Sequence, residues 1–266
     1  MRRPAILFAL CLATGVLLSA CGKGGYVVTG SRPSATTGAP GTTGAAPGAG
    51  TGAGASPTHA RALAFANAVN LTAADVPGFA PAVKQHSESA NERRLEQEFH
   101  SCAGAQSAQA LQGSQGTVAE VSSPEFELHR GIVDLTASSE VSVARTPAEA
   151  AAVLAAVHSV RVKRCFTRYV TQLLRSQRLD GATVAGVSVA SGTPPAPGTT
   201  GGFGWRVTAT LAVRGLRVSF YLDILGFVDG PAQVTLSSSG TVRPFPASAQ
   251  EQLYSGLLAR AKAHSL

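Results

Sequence analysis

The chain has 266 residues, a formal charge of +7 and 6% aromatic residues. This length is sufficient for a domain with a sizeable core. The positive charge could attract nucleic acid, but the few aromatic residues are not interleaved with the basic ones, so the composition argues against a nucleic-acid partner. After the first 20 residues, no segment is apolar enough to span a bilayer.

The N-terminus has the pattern of a lipoprotein signal. Arg2 and Arg3 precede an apolar run at residues 5–18, and the sequence LSAC occupies residues 18–21. A basic region, an apolar region and small residues before a cleavage site are typical of a secretory signal. The run of about 14 residues is shorter than the roughly 20 that a spanning helix needs, and an ordinary signal does not require the cysteine. We therefore predict a signal peptide at residues 1–20.

Cys21 is then the N-terminus of the mature protein. We expect its sulfur to carry diacylglycerol and its amine to carry an acyl chain such as palmitate. Two or three chains, at about 0.8 kcal/mol per buried methylene, hold a protein durably on a membrane. The predicted location is therefore the cell membrane, with the protein lipid-anchored and facing the extracytoplasmic side.

Residues 21–58 are predicted to be the lipidated cysteine followed by a disordered tether. The segment consists almost entirely of Gly, Ala, Thr, Ser and Pro, which bury no apolar surface. Flexible-chain statistics give it a span of about 35 Å. Residues 59–266 contain no second linker, so we predict one folded domain there.

Two cysteines remain for the folded part. Cys11 lies in the signal and Cys21 is assigned to lipid, which leaves Cys102 and Cys165. An even pair in an oxidising compartment predicts one disulfide. His100 beside Cys102 could supply two metal ligands, but no second cluster has zinc-like spacing, so neither a metal nor a cofactor is expected.

Helical patterns occur in four places. Residues 59–69 and 91–103 carry apolar residues on one side, and the sequences TPAE at 146–149 and SAQE at 248–251 are predicted capping boxes. The first box opens a helical region that runs to about residue 178, with a candidate break near residue 159. The second opens the C-terminal helix, in which Leu253, Leu257 and Ala261 recur every four residues.

The strand patterns are joined by tight turns. They cover residues 118–128, 132–143, 183–190, 207–213, 216–228 and 232–238, and glycine-containing turns lie at 130–131, 214–215 and 229–230. The predicted fold is α+β, with a single mainly antiparallel sheet of about six strands covered by helices, in the order α-α-β-β-α-β-β-β-β-α.

Several short sequences are shared with a known group of domains. They are LTAADVPGF at 71–79, VSV at 141–143 running into TPAEA at 146–150, RCF at 164–166 and PFP at 244–246. With the element order and the paired cysteines, they resemble the actinobacterial LpqN-type lipoproteins and the sensor domain of the PknH-type Ser/Thr kinase, which have a PsbP-like fold. The resemblance implies a non-catalytic domain that senses or binds a ligand, and it supplies no catalytic residues.

A search for catalytic motifs finds none. The chain has no G-x-S-x-G, no phosphate-binding glycine loop and no H-E-x-x-H, so no catalytic residue is assigned and no enzyme activity is expected. Asp223 is the unusual carboxylate, because strand alternation places it with Tyr221 on one face. It either forms a buried ion pair, with an arginine from a covering helix, or lines a cleft together with Tyr221.

The most regular polar pattern is a row of arginines in the long helical region. Apolar residues occupy the opposite side of this helix, so the row predicts a solvated face. The alternative is contact with anionic lipid headgroups, at about 1 kcal/mol per cation. The row comprises Arg161, Arg164, Arg168, Arg175 and Arg178.

The leading functional hypothesis is a lipoprotein with a non-catalytic, sensor-like domain. Its partners are membrane lipid through Cys21 and one of three further classes, namely anionic headgroups, a small apolar ligand in a cleft between sheet and helices, or an envelope protein. One alternative is a cell-envelope hydrolase with a dispersed active site, which would bring a serine or aspartate to a histidine in a cleft. The other is a passive envelope scaffold.

Overall fold

The computed structural model describes residues 56–82, 89–112, 117–177, 182–213, 215–264 and 266. The predicted signal peptide, Cys21, nearly all of the predicted tether and Arg178 lie outside the described residues. The helices are α1 (His59–Val69), α2 (Ala90–Ala103), α3 (Ala105–Gln112), α4 (Pro147–His158), α5 (Val160–Ser176) and α6 (Ala247–Ala263). The strands are β1 (Ala80–Ala82), β2 (Thr117–Ser122), β3 (Glu125–Arg130), β4 (Val133–Ala144), β5 (Ala182–Gly192), β6 (Gly201–Val213), β7 (Leu216–Asp229) and β8 (Ala232–Thr241).

All eight strands form one antiparallel sheet, so the fold is α+β as predicted. The order across the sheet is β1-β3-β4-β8-β7-β6-β5, and β2 pairs with β4 beside β3. The tight turns are also confirmed, because Gly131, Gly215 and Gly230 have φ of +65°, +82° and +56° at the three predicted hairpin positions. Glycine takes such left-handed angles without steric cost.

The sheet has more strands than predicted for two reasons. The segment predicted as one strand at 118–128 is two strands, β2 and β3, interrupted where Pro124 has no N–H to donate. There Ser123 N donates to the Ser139 carbonyl at 2.8 Å, and Ser139 N donates to Ser123 Oγ at 2.9 Å. The second addition is β1, a three-residue edge strand that pairs with β3.

The helices lie on both faces of the sheet and cover different strands. On one face α2, α4 and α5 pack against β6 and β7, where Phe203, Trp205 and Leu222 are buried. On the other face α1 and α6 pack against β4 and β8, where Val141 and Val234 are buried. The alternation of side chains along each strand explains why one sheet supports two cores.

The helical region after residue 146 is two helices. Ser159 has an extended ψ of 127° and serves as the C-cap of α4 and the N-cap of α5. The capping box that opens α4 is confirmed, because Thr146 Oγ1 accepts from Glu149 N at 3.2 Å while Glu149 Oε2 accepts from Thr146 N at 3.2 Å.

The second predicted capping box is wrong. Helix α6 begins at Ala247, its N-cap is Pro246, and no side chain in the described part of the chain caps it. The buried ring of Phe245, 6.0 Å from Phe79 between ring centroids, fixes the chain just before the helix. Ser248 therefore lies inside the first turn, where its hydroxyl cannot act as the cap. Helix α3 and the first six residues of β6 were likewise not predicted.

Candidate functional site

Three of the predicted arginines form a continuous exposed surface on α5. Arg164, Arg168 and Arg175 are all exposed and follow one side of the helix at spacings of four and seven residues. The opposite side buries an apolar row at Phe166, Tyr169, Val170 and Leu173. We call the three exposed side chains the arginine face. None of them has a carboxylate within ion-pair distance among the described residues.

Arg161 is placed differently from the other three. Its Nε donates to the carbonyl oxygen of Cys102 at 2.6 Å, and its guanidinium lies 3.3 Å from where a Cβ on Gly104 would stand. Arg161 therefore binds the C-terminal end of α2, where free carbonyls attract a cation. It is part of the α2–α5 contact and does not belong to the arginine face.

The predicted disulfide is present beside this contact. Cys102 in α2 and Cys165 in α5 are linked, with their Cα atoms 5.7 Å apart. Cys165 is 2% exposed, so α2 is held against the buried side of α5. The arginine face consequently belongs to a helix that is fixed to both the sheet and α2.

The surface beside the arginine face is a shallow hollow. Its volume is about 480 Å³. Thr167 and Thr171 donate their hydroxyl protons to backbone carbonyls of α5 one turn earlier, at 2.9 and 2.7 Å. The donors left for an anion in the hollow are the guanidinium groups and the Gln172 amide. The lining residues are Arg164, Thr167, Arg168, Thr171, Gln172 and Arg175.

A smaller cavity lies where α4 meets α5, against the ends of β5 and β6. We call it the junction cavity. Its volume is about 280 Å³. Lys163 Nζ donates to Ser191 Oγ at 3.1 Å on one side, and His158 Nε2 donates to the Gly202 carbonyl at 3.1 Å on another. The lining residues are Val157, His158, Val160, Lys163, Arg164, Thr167, Ser191, Gly192, Phe203, Gly204 and Trp205.

Asp223 is buried and forms an ion pair, but its partner differs from the predicted one and is half-exposed, with 48% of the Arg206 side chain accessible. Asp223 is 3% exposed, and its two oxygens accept from Arg206 Nε at 2.5 Å and Arg206 Nη2 at 3.0 Å. Arg206 stands opposite Asp223 on the neighbouring strand β6, so the arginine comes from the sheet and not from a covering helix. Neither Asp223 nor Tyr221 lines the hollow or the junction cavity.

A polar face of the sheet was missed by the sequence analysis. Side chains of β2, β4 and β8 that share the face covered by α4 are hydroxyls and carboxyls, and most are buried. Sequence alternation along β4 gives such a polar row, which normally indicates solvent exposure. We call these residues the polar sheet face: Glu120, Ser122, Thr136, Ser138, Glu140, Ser142, Thr235, Ser237 and Ser239.

Two carboxyls of this face lie on neighbouring strands. Glu140 is 7% exposed and accepts from Ser122 Oγ at 3.2 Å. Burial raises the pKa of Glu120 to about 7. Burial, with repulsion from Glu120, also raises the pKa of Glu140 well above its ordinary value, and the Ser122 hydrogen bond offsets this only in part. Ser237, diagonal to Glu140, is 4% exposed, and its Oγ has no hydrogen-bond partner among the described residues.

His129 lies close to two carboxylates, but it is not placed to activate a nucleophilic hydroxyl. His129 on the β3–β4 hairpin contacts Asp134 through Nδ1, and its Nε2 lies 3.2 Å from Glu127 Oε2. Its side chain is 63% exposed. Because both ring nitrogens face carboxylates, neither is left to take a proton from a hydroxyl.

Within the described ranges, no three His, Cys, Asp or Glu side chains converge as metal ligands. No helix of the described part is both long enough and apolar enough to cross a membrane.

No protein-family model matches the chain, and no curated protein matches it.

Proposed function

We propose that this protein is a lipoprotein anchored through Cys21 to the extracytoplasmic side of the cell membrane, with a folded part that binds without catalysing. The LSAC sequence at residues 18–21 supports the anchor. The resemblance to LpqN-type lipoproteins and to the PknH-type sensor supports a binding role. The partner that we propose is the anionic surface of the same membrane, contacted by the arginine face.

The proposal of a membrane partner rests on three exposed guanidinium groups on one side of α5. Arg164, Arg168 and Arg175 have no carboxylate within ion-pair distance in the described part of the chain, so their charge is available to a partner. Each cation close to an anionic lipid surface contributes about 1 kcal/mol. A tether spanning about 35 Å keeps the helix near that surface and raises its effective concentration there.

The anchor is tested by labelling growing cells with a palmitate analogue. The full-length chain should become labelled and enter the detergent phase on phase separation. The Cys21→Ser variant should lose both properties, because no other position is proposed to carry lipid. Labelling that persists in Cys21→Ser would contradict the anchor.

The membrane contact is tested on the chain from residue 22 onward, which lacks only the signal and the lipidated cysteine and keeps every described residue. We expect it to bind vesicles that contain phosphatidylglycerol and not vesicles of pure phosphatidylcholine. The triple variant Arg164→Gln/Arg168→Gln/Arg175→Gln should bind about a hundredfold more weakly, since three contacts of about 1 kcal/mol are removed. Added salt should weaken the wild-type interaction.

A second triple variant provides the matched control. Arg130, Arg217 and Arg243 are also exposed but lie outside α5. Changing all three to glutamine removes the same net charge and should leave most of the vesicle binding intact. Equal losses in the two triple variants would show that net charge alone attracts the protein, and salt-insensitive binding would also contradict the proposed contact.

A further inference from the structure

The lining of the junction cavity carries charge of one sign only among the described residues. Lys163 and Arg164 contribute two cations there, and no aspartate or glutamate of the described part of the chain lines the cavity. These cations are the fourth and fifth residues of α5, just beyond its first turn, and that turn contains no acidic residue. An acidic residue is the stabilising choice at the start of a helix, and an anion in the cavity would supply negative charge near that end.

The opposite wall of the cavity is apolar and fixed. Trp205 and Phe203 are 8% and 4% exposed, and Trp205 stacks on Phe166 with ring centroids 4.6 Å apart. Gly226 in β7 makes room for the Phe203 ring, because a Cβ at this position would lie 2.3 Å from the ring Cζ. The aromatic wall is therefore held in place before any ligand arrives.

The charged side of the cavity is also positioned in advance. The Lys163 ammonium donates to Ser191 in β5, which fixes the long side chain across the mouth of the cavity. An ammonium has three donors, so two remain for a ligand. Arg164 is exposed and has no carboxylate within ion-pair distance among the described residues, so its guanidinium fork is open to a carboxylate or phosphate.

The volume limits what can enter. At about 280 Å³, the junction cavity is near the lower end of the range of small-molecule sites. It is large enough for one ring and one charged group, and too small for the acyl chain of a membrane lipid.

We propose that the junction cavity binds a small organic anion, in which one phosphate or carboxylate group is carried on an aromatic body. The anionic group meets Lys163 and Arg164, and the ring packs on Trp205. The site shares Arg164 with the arginine face, but Lys163 and Trp205 lie outside that face and the ligand is a small molecule and not a membrane surface. The proposal therefore does not depend on the membrane contact.

Calorimetric titration of the chain from residue 22 onward tests the site with four probes. Phenyl phosphate and benzoate distinguish the two anionic groups, inorganic phosphate lacks the ring, and benzyl alcohol lacks the charge. We expect one of the two aromatic anions to bind at least tenfold more tightly than inorganic phosphate and benzyl alcohol. Absence of binding by both aromatic anions, or equal binding of benzyl alcohol, would overturn the proposal.

Two variants locate the binding, and a third is the control. Lys163→Gln and Arg164→Gln should each weaken the aromatic anion about tenfold, because each removes a charge-assisted hydrogen bond. Arg175→Gln removes one charge from the same helix but does not line the cavity, so it should leave the affinity unchanged. If both cavity variants remain folded by circular dichroism and bind the aromatic anion as tightly as wild type, the anion does not bind in the junction cavity.

Vesicle binding separates this proposal from the proposed function. Lys163→Gln should weaken the small anion about tenfold and keep the wild-type affinity for phosphatidylglycerol vesicles, whereas Arg175→Gln should bind the vesicles about fivefold more weakly and keep the small anion. If Lys163→Gln loses vesicle binding and keeps the small anion, the junction cavity is not the anion site.

Discussion

At the scale of single residues, the polar sheet face makes stability depend on pH. Glu120 and Glu140 lie on the neighbouring strands β2 and β4, on the face of the sheet against which α4 packs, and α4 carries no lysine or arginine. The titratable side chains of α4 are Glu149 and His158 at its ends, and both are engaged elsewhere by hydrogen bonds. Ionisation of the pair therefore leaves two carboxylates in a partly desolvated site.

We predict that the free energy of unfolding falls as the pH rises. A carboxyl whose pKa is raised on folding gives its full stability below the unfolded value of 4.5, and this stability is lost as the pH rises through the folded value of about 7 for Glu120. One pKa unit corresponds to about 1.4 kcal/mol, and partial exposure reduces the effect, so we expect a fall on the order of 1–2 kcal/mol between pH 5 and pH 8.

Urea unfolding at several pH values measures this change, and two variants interpret it. Glu140→Gln should flatten the profile, because it removes one ionisation and the repulsion that it causes. Glu251→Gln, at an exposed position of α6, should keep the wild-type profile. A stability that rises between pH 5 and pH 8 would show that the pair is not buried as described.

The burial of Glu120 and Glu140 could not be predicted from the sequence pattern. Alternation in β4 correctly separates Val141 and Val143 from Glu140 and Ser142. It does not tell whether the polar side is covered, because that depends on which face of the sheet the helices pack against. The carboxyl pair was missed for this reason, although both residues are visible in the strand patterns.

At the scale of elements, two similar sequences behave differently at their helix starts. TPAE at 146–149 forms a capping box, whereas SAQE at 248–251 does not. In α6, Gln250 Nε2 donates to Ser238 Oγ at 2.6 Å, so the start of the helix is held by the sheet. A tertiary hydrogen bond therefore holds the start of α6 in place of a local capping hydrogen bond.

This difference gives a matched pair of variants. Thr146→Ala should lower the free energy of unfolding by about 1 kcal/mol, since it leaves the N–H of Glu149 without its acceptor. Ser248→Ala should change it by less than about 0.5 kcal/mol, because the exposed hydroxyl caps nothing. Urea titrations of both variants provide the comparison, and equal losses would mean that Ser248 caps α6 in solution.

At the scale of the whole molecule, the disulfide joins two helices that are far apart in the chain. Cys102 and Cys165 are separated by 63 positions. In the chain-entropy description, a loop of this size contributes about 4 kcal/mol by restricting the unfolded state. The link also holds α2 over the core that α5 forms with β6 and β7.

We expect the double variant Cys102→Ala/Cys165→Ala to lose about 2–4 kcal/mol of unfolding free energy. Wild-type protein unfolded in the presence of reductant should lose a similar amount, which controls for the effect of the alanines on packing. The measurement is the urea midpoint and slope. An unchanged midpoint in both cases would mean that the bond adds no stability.

The sequence by itself determined the features that depend on local pattern and composition. These are the α+β class, the hairpin glycines, the Thr146 capping box, the pairing of Cys102 with Cys165 and the apolar side of α5. Hydrophobic periodicity and turn chemistry act over a few residues, so they can be read without knowing the fold. The lipoprotein signal has the same local character and remains a prediction.

The tertiary structure decided which polar groups meet. It paired Asp223 with Arg206 on the next strand, took Arg161 to the end of α2, buried Glu140 in the sheet face and brought Lys163 and Trp205 into the lining of one cavity. Each of these outcomes depends on strand register and on which face of the sheet a helix covers. Those choices are made by packing between distant segments, and a single sequence carries no direct record of them.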